Sequence, residues 1–74
     1  MDKGELEAAV ESFDVFLDEY GQGDLRPNAL FGKSISLAGL SKIDESRAAM
    51  QLFVDENPNH PLVGDAKQVI SELN

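Results

Sequence analysis

Residues 43–61 read IDESRAAMQLFVDENPNHP, and residues 6–24 read LEAAVESFDVFLDEYGQGD. Laid on one another at an offset of 37 (58 − 21 = 37), the two stretches agree in kind. Leu6 falls on Ile43, Phe13 on Met50, Phe16 on Phe53, Leu17 on Val54 and Gly21 on Pro58, while Val10 falls on Arg47. The register continues without a gap into the next segment, where Leu25 meets Leu62, Asn28 meets Asp65 and Ala29 meets Ala66. Helical periodicity alone would align two apolar stripes. It would rarely also align the chain breakers and the Leu-x-x-(Asn/Asp)-Ala opening. A period of this length points to supersecondary units stacked side by side, each covering its neighbour's apolar face.

Within each unit the pattern is helix, turn, helix. Leu6, Ala9, Val10, Phe13, Phe16, Leu17 and Tyr20 follow spacings of three and four and share one stripe, while Glu7, Glu11, Asp14 and Asp18 share another. Gly21 to Gly23 stop the first helix, glycine being the residue that readily takes the left-handed terminal conformation. The second helix opens near Asp24 with Pro27 in its first turn, carries Leu30, Phe31, Ser34, Ile35, Leu37 and Ala38, and closes near Gly39. Ser41 is the expected N-cap of the third helix, with Asp44 in the capping-box position. That helix runs through Ile43, Ala49, Met50, Phe53 and Val54 to Asn57-Pro58, and a fourth begins near Pro61 with Leu62, Ala66, Val69, Ile70 and Leu73. No stretch alternates long enough for a strand. The expected fold is all-α: four antiparallel helices in one domain over residues 1–74, with repeat units of about 4–37 and 41–74.

Composition narrows the function. Fourteen acidic against six basic residues give a net charge of −8. Such a surface repels phosphate backbones and anionic membranes, so neither nucleic acid nor membrane insertion is expected. Acidity also serves plain solubility. The 74 residues include no cysteine, hence no disulfide staple and no thiolate metal site. No apolar run approaches the roughly 20 residues that span a bilayer, and MDKGELEAAV at the start has no apolar signal-peptide core.

Catalytic and metal chemistry find little support. His60, the single histidine, stands between prolines and reads as a helix-capping or solvent-exposed residue, because no second histidine or cysteine completes a site. Asp55, Asn57 and Asn59 have the spacing of a calcium loop's first ligands, but His60 stands at the glycine position and Ala66 at the closing glutamate. The carboxylates lie on faces expected to be wet rather than paired in an enclosed pocket. No serine has a Gly-x-Ser-x-Gly setting, and no Walker loop or dinucleotide fingerprint is present. No enzyme activity, metal or cofactor is expected.

The stretch GELEAAVESFDVFLDEYG resembles the second helix of the tetratricopeptide repeat family: Gly4 stands at the turn glycine, Ala9 at the small residue, Phe13 at the aromatic and Gly21 at the closing proline. Ser41, Ser46, Met50 and Pro58 fill these places in the second copy, and Leu30, Lys33, Ser34 and Leu37 stand where the first helix carries W-x-x-L-G-x-x-Y. The period exceeds the family's usual value of about 34 by three residues, located in NPNHP and GQGD. This longer form is similar to the repeats of bacterial periplasmic proteins of the Tol-Pal-associated and outer-membrane-assembly lipoprotein type.

The resemblance implies a right-handed stack of about two repeats that binds a peptide or partner helix in a scaffold or assembly. It implies a periplasmic or envelope location, or a cytoplasmic one where no signal peptide precedes the chain. The first helix of each pair would line a concave groove, making Asn28, Phe31, Gly32, Ile35 and Ala38 partner-binding candidates, continued by Asp65, Gln68, Val69 and Glu72. Gly32 beside Phe31 would leave a pocket for a partner's side chain, and Asn28 can hydrogen-bond a peptide backbone. The plainer alternative is that Phe31 and Ile35 close the core between the second and third helices. Arg26 and Lys33, the basic residues nearest the groove, would meet a carboxylate. The stripe Glu7, Glu11, Asp14 and Asp18 has no lysine four residues on; it steers a basic partner or is a solvated face. Finally, the chain opens on a helix of the second type, whose apolar edge lacks a partner. An upstream segment or another copy would cover it, and a weak or moderate homodimer through that edge is expected. The alternative function is a structural spacer or oligomerisation segment of a longer array.

Overall fold

The computed structural model describes residues 2–73; Met1 and Asn74, the ends of the predicted domain, lie outside the described residues. The fold is all-α, with α1 at Lys3–Tyr20, α2 at Arg26–Gly39, α3 at Ile43–Glu56 and α4 at Val63–Glu72. Each helix packs chiefly on its neighbour in sequence, and the result is a slab of 33 × 31 × 17 Å.

The connections α1–α2 and α3–α4 are built alike. In the first, the amides of Gly23, Arg26 and Ala29 donate to the carbonyls of Tyr20, Gly23 and Leu25 at 3.0, 3.1 and 2.9 Å. At 37 residues further on, the amides of His60, Val63 and Ala66 donate to Asn57, His60 and Leu62 at 3.0, 3.0 and 2.8 Å. Leu25 (φ −90, ψ 1) and Leu62 (φ −89, ψ 3) share one backbone conformation at the two helix entrances. Both helices begin two residues later than their sequences suggest, because Asp24–Leu25 and Pro61–Leu62 belong to the turns. Gly21 does not take the expected left-handed step: its φ is −64 and its ψ −13, and no described glycine has positive φ. Space is what it supplies, since a Cβ there would collide with the carbonyl of Leu17.

The α2–α3 connection differs. Ser41 stands at φ 62, its amide donating to Ala38 O at 3.0 Å, and the Lys42 amide donates to Leu37 O at 2.9 Å. These two bonds close α2 in a Schellman motif with serine in the place glycine usually holds. Ser41 therefore ends α2 rather than capping α3; the N-cap is Lys42, with no side-chain bond to the helix. With three residues between the helices, the left-handed step is the means by which the chain reverses.

The core sits off-centre. Leu30, Met50, Phe53 and Ala66 form it, flanked by Phe31, Val54, Val63, Val69 and Ile70, with Leu17 the contribution of α1. α2 and α3 approach closely because Ser34 and Ser46, both 0% exposed, face one another. The Ser34 hydroxyl donates to Ser46 O at 2.8 Å and the Ser46 hydroxyl to Ser34 O at 2.7 Å, leaving the two oxygens 3.0 Å apart. Each carbonyl has a second lone pair to accept such a bond, so two buried polar groups are satisfied where larger side chains would hold the helices apart.

Candidate interaction surface

The nine groove candidates do not converge. Phe31 is half-buried, its ring edge-on to Phe53 with centroids 5.5 Å apart, so it serves the core as the plainer alternative had it. Ile35, 45% exposed, does not. Gly32 leaves no pocket: a Cβ there would lie 2.5 Å from Cζ of Phe13, because the ring of α1 already occupies the space. Gly39, one heptad on, receives Leu6 in the same way, its Cβ position 2.9 Å from Leu6 Cδ1. Phe13 and Leu6 are also seven apart, so α1 seats two large side chains over two glycines of α2. Ala38 and Val69 are half-buried, Val69 against the core. Asp65, Gln68 and Glu72 are exposed on α4, where Gln68 Nε2 donates to Glu72 Oε2 at 3.3 Å.

Asn28, also exposed, lines a cleft. This cleft, of about 390 Å³, lies between α1 and α2 and is bounded by Ser12, Phe13, Phe16, Leu25, Asn28 and Ala29. A second hollow of about 290 Å³ shares Phe16 and Leu25 and reaches Tyr20, Gly23 and Asp24. Its apolar rim is open to solvent, with Tyr20 62% and Leu25 55% exposed. A groove lined by α2 and α4 leaves out Ser12, Phe13, Phe16, Tyr20 and Leu25. The available signal was the unpartnered edge of the first helix.

Charge on this side is predominantly negative. α1 carries Glu5, Glu7, Glu11, Asp14, Asp18 and Glu19 against Lys3 alone. Among the described residues Asp14 is the carboxylate of α1 that meets a cation, Lys33 Nζ at 2.6 Å. The two cations expected to await a partner's carboxylate are thus engaged within the chain. Lys33 binds Asp14, and Arg26 forms a two-pronged pair with Glu56, Nε to Oε1 at 2.7 Å and Nη2 to Oε2 at 3.0 Å. Arg26 Nη1 also donates to Gly21 O at 3.2 Å, joining the end of α1, the start of α2 and the end of α3. The hydrogen bond from Arg26, aided by its charge and opposed by burial, holds the Glu56 carboxyl below its ordinary range, and the Arg26 guanidinium is raised in turn.

His60 Nδ1 accepts the Leu62 amide at 3.0 Å, and its ring stands edge-on to Phe53 at 5.1 Å, so the imidazole organises the turn into α4. Asn57 Nδ2 donates to Phe53 O at 3.0 Å, using an amide of the calcium-like triplet to finish α3. Among the described residues no group of three or more His, Cys, Asp or Glu is placed to hold a metal ion, and no helix is long and apolar enough to cross a membrane. The arrangement offers shape, apolar surface and negative potential. Compared with known proteins, the chain matches no family model, no curated protein and no solved structure.

Proposed function

We propose that this chain is a non-enzymatic protein-interaction module that seats a partner helix or peptide in the α1–α2 cleft, in a scaffold or assembly role. Its helix pairs are read as tetratricopeptide-like repeats of about 4–37 and 41–74. The observation that carries the proposal is the cleft itself: aromatic and aliphatic walls from Phe13, Phe16 and Leu25, with a polar edge at Ser12 and Asn28. Exposed apolar patches rimmed by polar residues mark interaction sites. The recurrence of one turn at an interval of 37 supports the alternative role of spacer or oligomerisation segment in a longer array, with the same cleft covered by the adjoining unit or by a second copy.

The test is a selection of helical peptides against the intact chain, repeated on a Leu25→Asp variant. Leu25 is more than half exposed, precedes the first turn of α2 and lies outside the core cluster, so the substitution removes no core contact. Selected helices are expected to lose roughly tenfold or more in affinity on the variant. Equal binding to both proteins, or no saturable binder, sinks the reading.

A further inference from the structure

We infer that the occupant of the α1–α2 cleft is an amphipathic helix of the kind α2 itself represents, with two adjacent large apolar residues, a small residue one turn later, and no acidic group within its helical span. This rests on the functional reading above and names the chemistry of the partner.

The molecule contains a filled version of its own cleft. At the offset of 37, Phe13, Phe16 and Ala29 correspond to Met50, Phe53 and Ala66, and these three are each 0% exposed. What covers them is α2: Leu30 lies in the same cluster and Phe31 packs on it, edge-on to Phe53. Ser34, one turn beyond Leu30, meets Ser46, whose counterpart on α1 is Ala9. A helix lying on α1 as α2 lies on α3 therefore needs a Leu-Phe-like pair over Phe13 and Phe16 and a small residue at Ala9.

Charge selects in the same direction. α1 presents six carboxylates and one lysine, whereas α2 carries Arg26 and Lys33 and no acid. An acid-rich helix would meet repulsion along the length of α1, and an acid-free or basic one attraction. The chain's own α4 is a poor occupant. At the positions of Leu30 and Phe31 it has Lys67 and Gln68, so copies stacked tail to head would set two polar side chains against the aromatic floor where α2 sets Leu and Phe.

The probe is the synthetic peptide DLRPNALFGKSISLAGL, residues 24–40, titrated into the isotopically labelled full chain and followed by NMR. Saturable shifts are expected at the amides of Ser12, Phe16 and Leu25. A peptide with Leu30→Ala and Phe31→Ala should bind roughly tenfold more weakly or worse. Changing its Arg26→Glu and Lys33→Glu should weaken it several-fold at low salt and less at high salt. A peptide of residues 61–73 should not compete. Absence of saturable shifts at the cleft up to millimolar peptide overturns the inference, as does equal binding of the doubly truncated or 61–73 peptides. A concentration-dependent dimer of the chain alone, occluding the same amides in ultracentrifugation and NMR, would make a second copy the occupant and overturn it too. Should selected helices bind in a Leu25-dependent way while the 24–40 peptide does not, this inference falls and the functional reading stands; should neither bind, both fall.

Discussion

α1 and α3 carry corresponding apolar stripes and have opposite fates. α3 buries Ser46, Ala49, Met50 and Phe53, whereas α1 buries no residue at all. The difference is not in the stripes, since Phe13 and Phe16 are at least as apolar as Met50 and Phe53. It lies in the neighbours: α3 is packed between α2 and α4, whereas α1 packs chiefly on α2. The same amphipathic helix is thus a core element in one half and an open surface in the other.

The largest expected effect tests that contrast directly. Phe53→Ala removes a side chain at 0% exposure from the centre of the cluster and should cost about 3–5 kcal/mol. That is comparable with the whole stability a single core of this size supplies, so the variant should be largely unfolded in urea titrations monitored by circular dichroism. Phe16→Ala, its counterpart at the offset of 37, should cost only about 1 kcal/mol because the ring is partly solvated already. Similar losses at the two sites would show that α1 is as well buried in solution as α3.

Next in size is a glycine pair. Gly32→Ala puts a methyl 2.5 Å from the Phe13 ring and Gly64→Ala puts one into open space. Overpacking costs about 1–3 kcal/mol, against a helix-propensity gain of about 1 kcal/mol for removing glycine. Gly32→Ala should therefore lower the urea midpoint and Gly64→Ala should raise it slightly. A rise at both positions would mean that Phe13 moves aside freely and that α1 is held loosely on α2.

The connections differ as the helices do, and Ser41→Gly exploits it. Among the described residues the left-handed one lies in the α2–α3 link, and relieving that conformation should stabilise by about 0.5–1 kcal/mol, read as a higher midpoint with an unchanged slope. Gly21→Ala, in the right-handed α1–α2 link, should instead destabilise through its collision with the Leu17 carbonyl.

The smallest effect concerns Arg26–Glu56, which has no counterpart in the second unit because Val63 stands at the matching position. The hydrogen bond from Arg26 depresses the Glu56 carboxyl, so the pair's contribution is present above the ordinary carboxylate range. It is lost as pH falls through the folded-state value. With side chains 27% and 35% exposed, it amounts to less than about 1 kcal/mol after solvent screening. Glu56→Gln should flatten the fall in stability below about pH 4.5 and leave the slope near neutrality unchanged. An unaltered acid limb would mean that the pair contributes nothing measurable.

By itself the sequence determined the number of helices, the points where they break and the interval at which the pattern returns. These follow from local rules: side-chain spacing, prolines and glycines, and the conformations they forbid. The apolar stripe of α1 was legible for the same reason, from the spacing of Leu6, Phe13, Phe16 and Tyr20. Tertiary structure alone decided what lies against what. It put Phe13 into the hollow that Gly32 promised to a partner, joined Arg26 to Glu56 and Lys33 to Asp14, and turned Ser41 from the start of one helix into the end of another. Those outcomes depend on distances between helices, and no residue's own spacing or charge records how closely a distant one will approach.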